Sequence, residues 1–96
     1  MLIHLGRGVS VHGEDVILLT DLQAGTAPDA AQLMARHRAA GRLRTLGPDP
    51  KTMVLCRDPR QRGKTVCYMS CVGLRTLRAR AEESARGFSA PQTDED

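Results

Sequence analysis

Hydrophobic positions in this chain come in short runs broken by glycine and proline, and the period of each run predicts its element. Leu2 to Leu5 and Val9 to His12 are β-prone runs on either side of Gly6-Arg7-Gly8, a spacing that fits two strands joined by a tight turn. After Gly13-Glu14-Asp15, the run Val16-Ile17-Leu18-Leu19-Thr20 is continuously apolar and too short for an independent helix. It predicts a central strand buried on both faces. Arg42 to Leu46 alternates, which predicts a half-buried strand with Arg42 and Arg44 on its solvent side. Gly47-Pro48-Asp49-Pro50 imposes a turn. Thr52 to Cys56 and Lys64 to Ser70 then read as two strands of an antiparallel hairpin, with Arg57 to Gly63 as its long polar loop.

Two segments carry the helical period instead. The first is framed by Thr26 as cap, Pro28 in the first turn, Asp29 at the positive dipole end and Gly41 as left-handed terminator. Ala30, Leu33, Met34 and His37 form its apolar stripe, with Arg36 and Arg38 on opposite sides of that stripe. The second runs from about Leu74 to Arg86. Leu74, Leu77 and Ala81 face inward, Arg78–Glu82 and Glu82–Arg86 are spaced as outward i,i+4 pairs, and Gly87 stands as C-cap. The sum is an α+β fold: one small, mostly antiparallel sheet of five to six short strands with two helices, in a single domain over residues 1–86. Residues 87–96 are polar and acidic and predict a disordered tail.

Length and composition narrow this picture. A chain of 96 residues buries only ~60–65% of its unfolded surface. With Tyr68 and Phe88 as the only aromatics, its core must be aliphatic, so self-association is an expected source of stability. No apolar run reaches the ~18 residues of a membrane span, and no secretion-signal pattern opens the chain, which together with an odd count of three cysteines predicts a cytoplasmic protein.

Charge is unevenly placed. Residues 36–64 hold nine basic side chains against Asp49 and Asp58 (+7), whereas residues 1–35 hold Arg7 against Glu14, Asp15, Asp21 and Asp29 (−3). Such asymmetry points to a polyanionic partner. The candidate contacts form two sets: Arg42, Arg44 and Lys51 around one strand and turn, and Arg57, Arg60, Arg62 and Lys64 on the hairpin loop. No aromatic side chains are interleaved among them, which favours the phosphates of duplex DNA over stacked single-stranded bases. Solvated loop charge that deters edge-to-edge aggregation is the plainer explanation of the same residues.

Other chemistry is poorly supported. Cys67 and Cys71 would share a strand face but lie ~13 Å apart along it, and paired C-x-x-C spacing is absent. Cys56, Cys67 and Cys71 therefore read as small buried apolar residues, and His37 as a packed, hydrogen-bonded one. No catalytic constellation, metal site, cofactor motif or small-molecule site is evident. Gly6-Arg7-Gly8 is too short for a phosphate loop and precedes no helix.

Several of these segments, taken in order, resemble the Rem family of bacterial extracellular-matrix regulators, in particular its RemB-like branch. The matching segments are Met1-Leu-Ile-His-Leu-Gly6, Val9-Ser-Val11, Glu14-Asp-Val-Ile-Leu-Leu-Thr-Asp21, Ala27-Pro28, Ala39-Ala-Gly-Arg42, Val66-Cys-Tyr-Met-Ser70 and Leu74-Arg-Thr-Leu-Arg78. They cover about residues 1–80. The resemblance implies a transcription regulator of biofilm-matrix genes that forms a homo-oligomeric ring and binds double-stranded DNA along its outer surface. A ring would multiply a modest basic patch.

This chain also departs from the family pattern. Of the basic pair that RemA-like proteins carry in the turn after the fourth strand, only Lys51 remains. Cys71 and Gly73 replace the usual Pro and Ser, and the Arg57–Gly63 loop is longer and more basic. Two further readings stand beside the regulator: an oligomeric scaffold of the same fold that does not bind DNA, and a thiol or zinc sensor working through the three cysteines.

Overall fold

A computed structural model describes residues 1–85; Arg86, Gly87 and the acidic tail, with the pairing and cap expected of them, lie outside the described residues. The fold is a single-domain α+β arrangement of six strands and two helices. In chain order these are β1 (Leu2–Gly6), β2 (Val9–His12), a 3-10 turn (Gly13–Asp15), β3 (Val16–Asp21), α1 (Pro28–Ala39), β4 (Leu43–Thr45), β5 (Thr52–Arg57), β6 (Thr65–Ser70) and α2 (Leu74–Ala85). The strands make two sheets rather than one. β1 and β2 form an antiparallel hairpin, and the other four strands run in the order β3-β5-β6-β4, with only the β4–β6 pair parallel. No helix among the described residues is long and apolar enough to cross a membrane.

Side-chain alternation on β5 and β6 divides the core in two. Val54 and Cys56 point toward the β1–β2 hairpin and α2, where they pack with Ile3, Leu5, Leu46 and Leu77. Met53, Cys67 and Met69 point the other way and pack with Ala30 of α1. Cys56 and Cys67 thus occupy opposite faces of the sheet, and Cys71 lies beyond the end of β6.

Two expectations about the strands are corrected. Val16–Asp21 is an edge strand, and Ile17 and Leu18 are 49% and 42% exposed. The pairing register slips between Val16 and Leu18, which turns Leu18 onto the α1 side of the sheet. There α1 packs chiefly over β4 and β6, toward the edge of the sheet opposite β3. A continuous apolar run does not distinguish an interior strand from an edge whose exposed side chains are also apolar. The second correction concerns Arg42, which lies just before β4 with a side chain only 19% exposed, while Arg44 is exposed as expected.

The helix ends follow backbone constraints. α1 is capped at Ala27, not Thr26, with no side-chain cap bond, and Pro28 occupies its first turn. A residue before proline is pushed into extended conformation, so Ala27 itself takes the half-in position and Thr26 falls one residue too early. At the other end Gly41 adopts φ +72°. Its N–H donates to Arg38 O, and the Arg42 N–H donates to His37 O at 2.7 Å, which is a Schellman closure. On α2, Leu77 is fully buried as the stripe predicts. Arg78 and Glu82 do not pair; among the described residues the ion pair is Arg42–Asp58.

The hairpin is held to the sheet by hydroxyls. Leu5 stands opposite no residue of β2 because the register slips between His4 and Gly6. Its carbonyl accepts instead from Ser70 Oγ at 2.6 Å, and that oxygen accepts from the Val72 N–H at 3.0 Å. Thr52 Oγ1 donates to Val72 O at 2.8 Å. Both hydroxyl residues are fully buried. Ser70→Ala leaves a buried carbonyl and a partly buried N–H without partners, so urea unfolding of this variant should show a loss of about 1–3 kcal/mol. An unchanged midpoint would show that the hairpin is held by apolar contact alone.

Candidate nucleic-acid interface

The β5–β6 loop is built around Asp58. The Asp58 N–H donates to Lys64 O, closing the hairpin, and Gln61 and Lys64 add turn bonds to Asp58 O and Gln61 O. Gly63 supplies the left-handed step that the return requires, at φ +80°. The carboxylate then fixes the loop from within: Oδ1 accepts from the Arg60 N–H at 2.9 Å, and Oδ2 accepts from Arg42 Nη2 at 2.5 Å. Arg42 also donates through Nε to Thr65 O at 2.9 Å, bracing the start of β6. The Arg60 N–H first, and then Arg42, hold the Asp58 carboxyl below its ordinary value of 3.8.

α1 braces the same region through His37. Its Nδ1 lies 2.8 Å from Leu33 O and Nε2 lies 2.7 Å from Thr65 Oγ1. A carbonyl only accepts, so Nδ1 donates to Leu33 O, and Nε2 shares the second hydrogen bond with the Thr65 hydroxyl. The expected packed, hydrogen-bonded histidine is therefore present. It also brings Arg36 to a shared cleft with Arg42 and Lys64. Sequence reasoning passed over Arg36; its place next to the inward-facing His37 is the signal that could have located it.

The seven candidate cations separate into three groups. Arg57, Arg60, Arg62 and Lys64 are exposed at the loop end of the β5–β6 hairpin. Arg44 joins Arg57 and Arg60 around one cavity, while Arg57, Arg62 and Lys64 share a neighbouring cleft with Ile17. Arg57 is steadied by donating from Nη1 to Glu14 O at 2.7 Å, and Arg44 by donating from Nη1 to Gly41 O at 2.8 Å. Arg42 is withdrawn from this set by its ion pair. Lys51 is separated from it: its N–H binds Ser70 O at the far end of β6, ~16 Å along that strand from Thr65 beside the loop. The sequence set Arg42/Arg44/Lys51 is thus dispersed, and Arg44 alone of the three belongs with the loop.

The cysteines form no centre. Burial pushes the Cys56 thiol up to about 12, with Asp15 and Cys67 adding to the effect, and burial pushes Cys67 up to about 11. Both resist ionisation to the nucleophilic thiolate, and they lie on opposite faces of the sheet. Among the described residues no group of three or more His, Cys, Asp or Glu side chains is placed to hold a metal ion.

No family model matches this chain, and no curated protein matches it.

Because Asp58 is held deprotonated in the folded state, its stabilisation is present above the ordinary value of 3.8 and is lost as pH falls through the lower folded value. Thermal melts of the wild type and Asp58→Asn should therefore differ most near neutral pH and converge in strong acid. A constant difference across that range would remove Asp58 as the organising charge of the loop.

Proposed function

We propose that this chain is a self-associating regulator of transcription that grips duplex DNA through its phosphates, as the resemblance to RemB-like members of the Rem family implies. The observation that carries the reading is the segregation of cations. Arg57, Arg60, Arg62 and Lys64 stand exposed at one end of the four-stranded sheet. Arg44, paired with Tyr68 midway along β6, lines a cavity with Arg57 and Arg60. The nearest loop carboxylate, Asp58, is occupied by Arg42 and the Arg60 N–H. An array of this kind favours backbone contact without base-by-base reading. The reading is of a cytoplasmic binding protein rather than a catalyst.

Self-association is supported by the four-stranded sheet, whose β3 and β4 edges are both open, and by Ile17 and Leu18 beside the first of these. A head-to-tail contact repeated around an axis closes into a ring and presents the loop cations many times over. That apolar edge also favours a second reading, an oligomeric scaffold of the same fold that makes no DNA contact.

Gel shifts across a salt series separate the two. Five phosphate contacts per protomer predict a log–log slope of about −4.5, and Arg60→Ala, Arg62→Ala and Lys64→Ala together should reduce its magnitude by about 2.7. Light scattering on the same variant should return an unchanged mass. Absence of binding to any duplex at low salt, with assembly intact, leaves the scaffold.

A further inference from the structure

Where the β1–β2 hairpin meets the four-stranded sheet, a cavity of about 330 Å³ opens beneath the β5–β6 loop. Three arginines reach it from three separate places: Arg44 on β4, Arg57 at the end of β5 and Arg60 in the loop. The guanidinium groups of Arg44 and Arg57 are each held by backbone carbonyls through Nη1. These bonds orient each group through one nitrogen and leave its other N–H donors for the forked contact that phosphoryl recognition uses.

The charge around the cavity is not balanced. Asp58 lines it but is already bound by Arg42 from outside and by the Arg60 N–H. Asp15 is the remaining carboxylate against three arginines. The wall on the sheet side is formed by Val66 and Tyr68 of β6, the latter the one Phe, Trp or Tyr among the described residues. Burial raises the Tyr68 phenol above its ordinary value, so it stays protonated. A half-buried aromatic ring offers a planar ligand group a stacking surface. The volume lies at the lower end of small-molecule sites. It suits a single nucleotide-sized molecule and is too small for a polypeptide segment or a duplex groove.

We propose that this cavity binds a small phosphomonoester bearing a planar ring, of the size of a nucleoside monophosphate. Arg44, Arg57 and Arg60 take the phosphoryl oxygens, the Tyr68 ring takes one face of the base, and Asp15 accepts from a hydroxyl or amino group. The sequence offered no such site, because its contributors come from four separate segments. The proposal goes beyond the duplex reading and does not depend on it, since Arg62 and Lys64 lie outside the cavity.

Calorimetric titration of the full chain with AMP, GMP, CMP and UMP in turn tests this, with adenosine, inorganic phosphate and a short duplex as comparisons. At least one monophosphate should bind saturably at one per chain. Adenosine and inorganic phosphate should each bind about tenfold more weakly, since each lacks one half of the recognised chemistry. Arg44→Gln, Arg60→Gln and Tyr68→Leu should each weaken the monophosphate by about tenfold. Arg62→Ala with Lys64→Ala should leave it unchanged while weakening the duplex.

Amide chemical-shift changes on the unaltered protein, centred on Arg44, Arg60 and Tyr68, supply a readout that does not depend on variants folding. No saturable binding of any monophosphate at millimolar concentration overturns the proposal. So does inorganic phosphate binding as tightly as the monophosphates, which would leave a bare anion site. So do shifts or losses centred elsewhere. Failure of the duplex alone to bind leaves the cavity proposal standing and removes the DNA reading.

Discussion

A backbone carbonyl buried at a slip in a hairpin needs a donor from outside that hairpin, and Leu5 finds one in Ser70 Oγ at 2.6 Å. The same hydroxyl satisfies the Val72 N–H, and Thr52 Oγ1 satisfies the Val72 carbonyl. Three segments that are distant in sequence are thereby tied at one seam, where satisfied buried polar groups specify a single arrangement. That seam sets how the hairpin lies over the sheet. In turn it places Ser10 and His12 of β2 opposite Tyr68 and Arg44, and so shapes the cavity between them.

From the far end of the sheet a second anchor works by charge. Asp58 draws Arg42 inward and orders the Arg60 backbone, while His37 secures α1 to Thr65. One cation is thus used for structure so that its neighbours are presented outward. The +7 of residues 36–64 already subtracts Asp58, which Arg42 engages, and a polyanion at the loop would meet less than that sum because Lys51 sits away from it.

Much of the fold was legible because local chemistry and tertiary context agree. Gly6-Arg7-Gly8, Pro28 and Gly41 each mark a boundary the structure keeps, since left-handed steps and missing N–H groups leave the chain few choices. The loop expected at Arg57–Gly63 lies one residue later, between Arg57 of β5 and Thr65 of β6. Position in the sheet was not legible. Ile17 and Leu18 have the composition of an interior strand and occupy an edge, because strand order depends on pairings between distant segments. The candidate site was legible as a charged loop but not as a geometry. Which arginine is spent on Asp58, and which line a cavity with Tyr68, depends on contacts spanning 16 residues or more, such as Arg42–Asp58 and Arg57–Glu14.

The slip at Ile17 has a further consequence for how the protein behaves at high concentration. A flat apolar edge is a template on which strands add without limit, whereas an extra residue in the edge breaks the regular spacing of its outward N–H and C=O groups. Here the extra residue falls inside the apolar run, between Val16 and Leu18. The edge therefore keeps its adhesive side chains while its backbone is out of step for continuous strand addition. An edge interrupted in this way disfavours unlimited strand addition along β3.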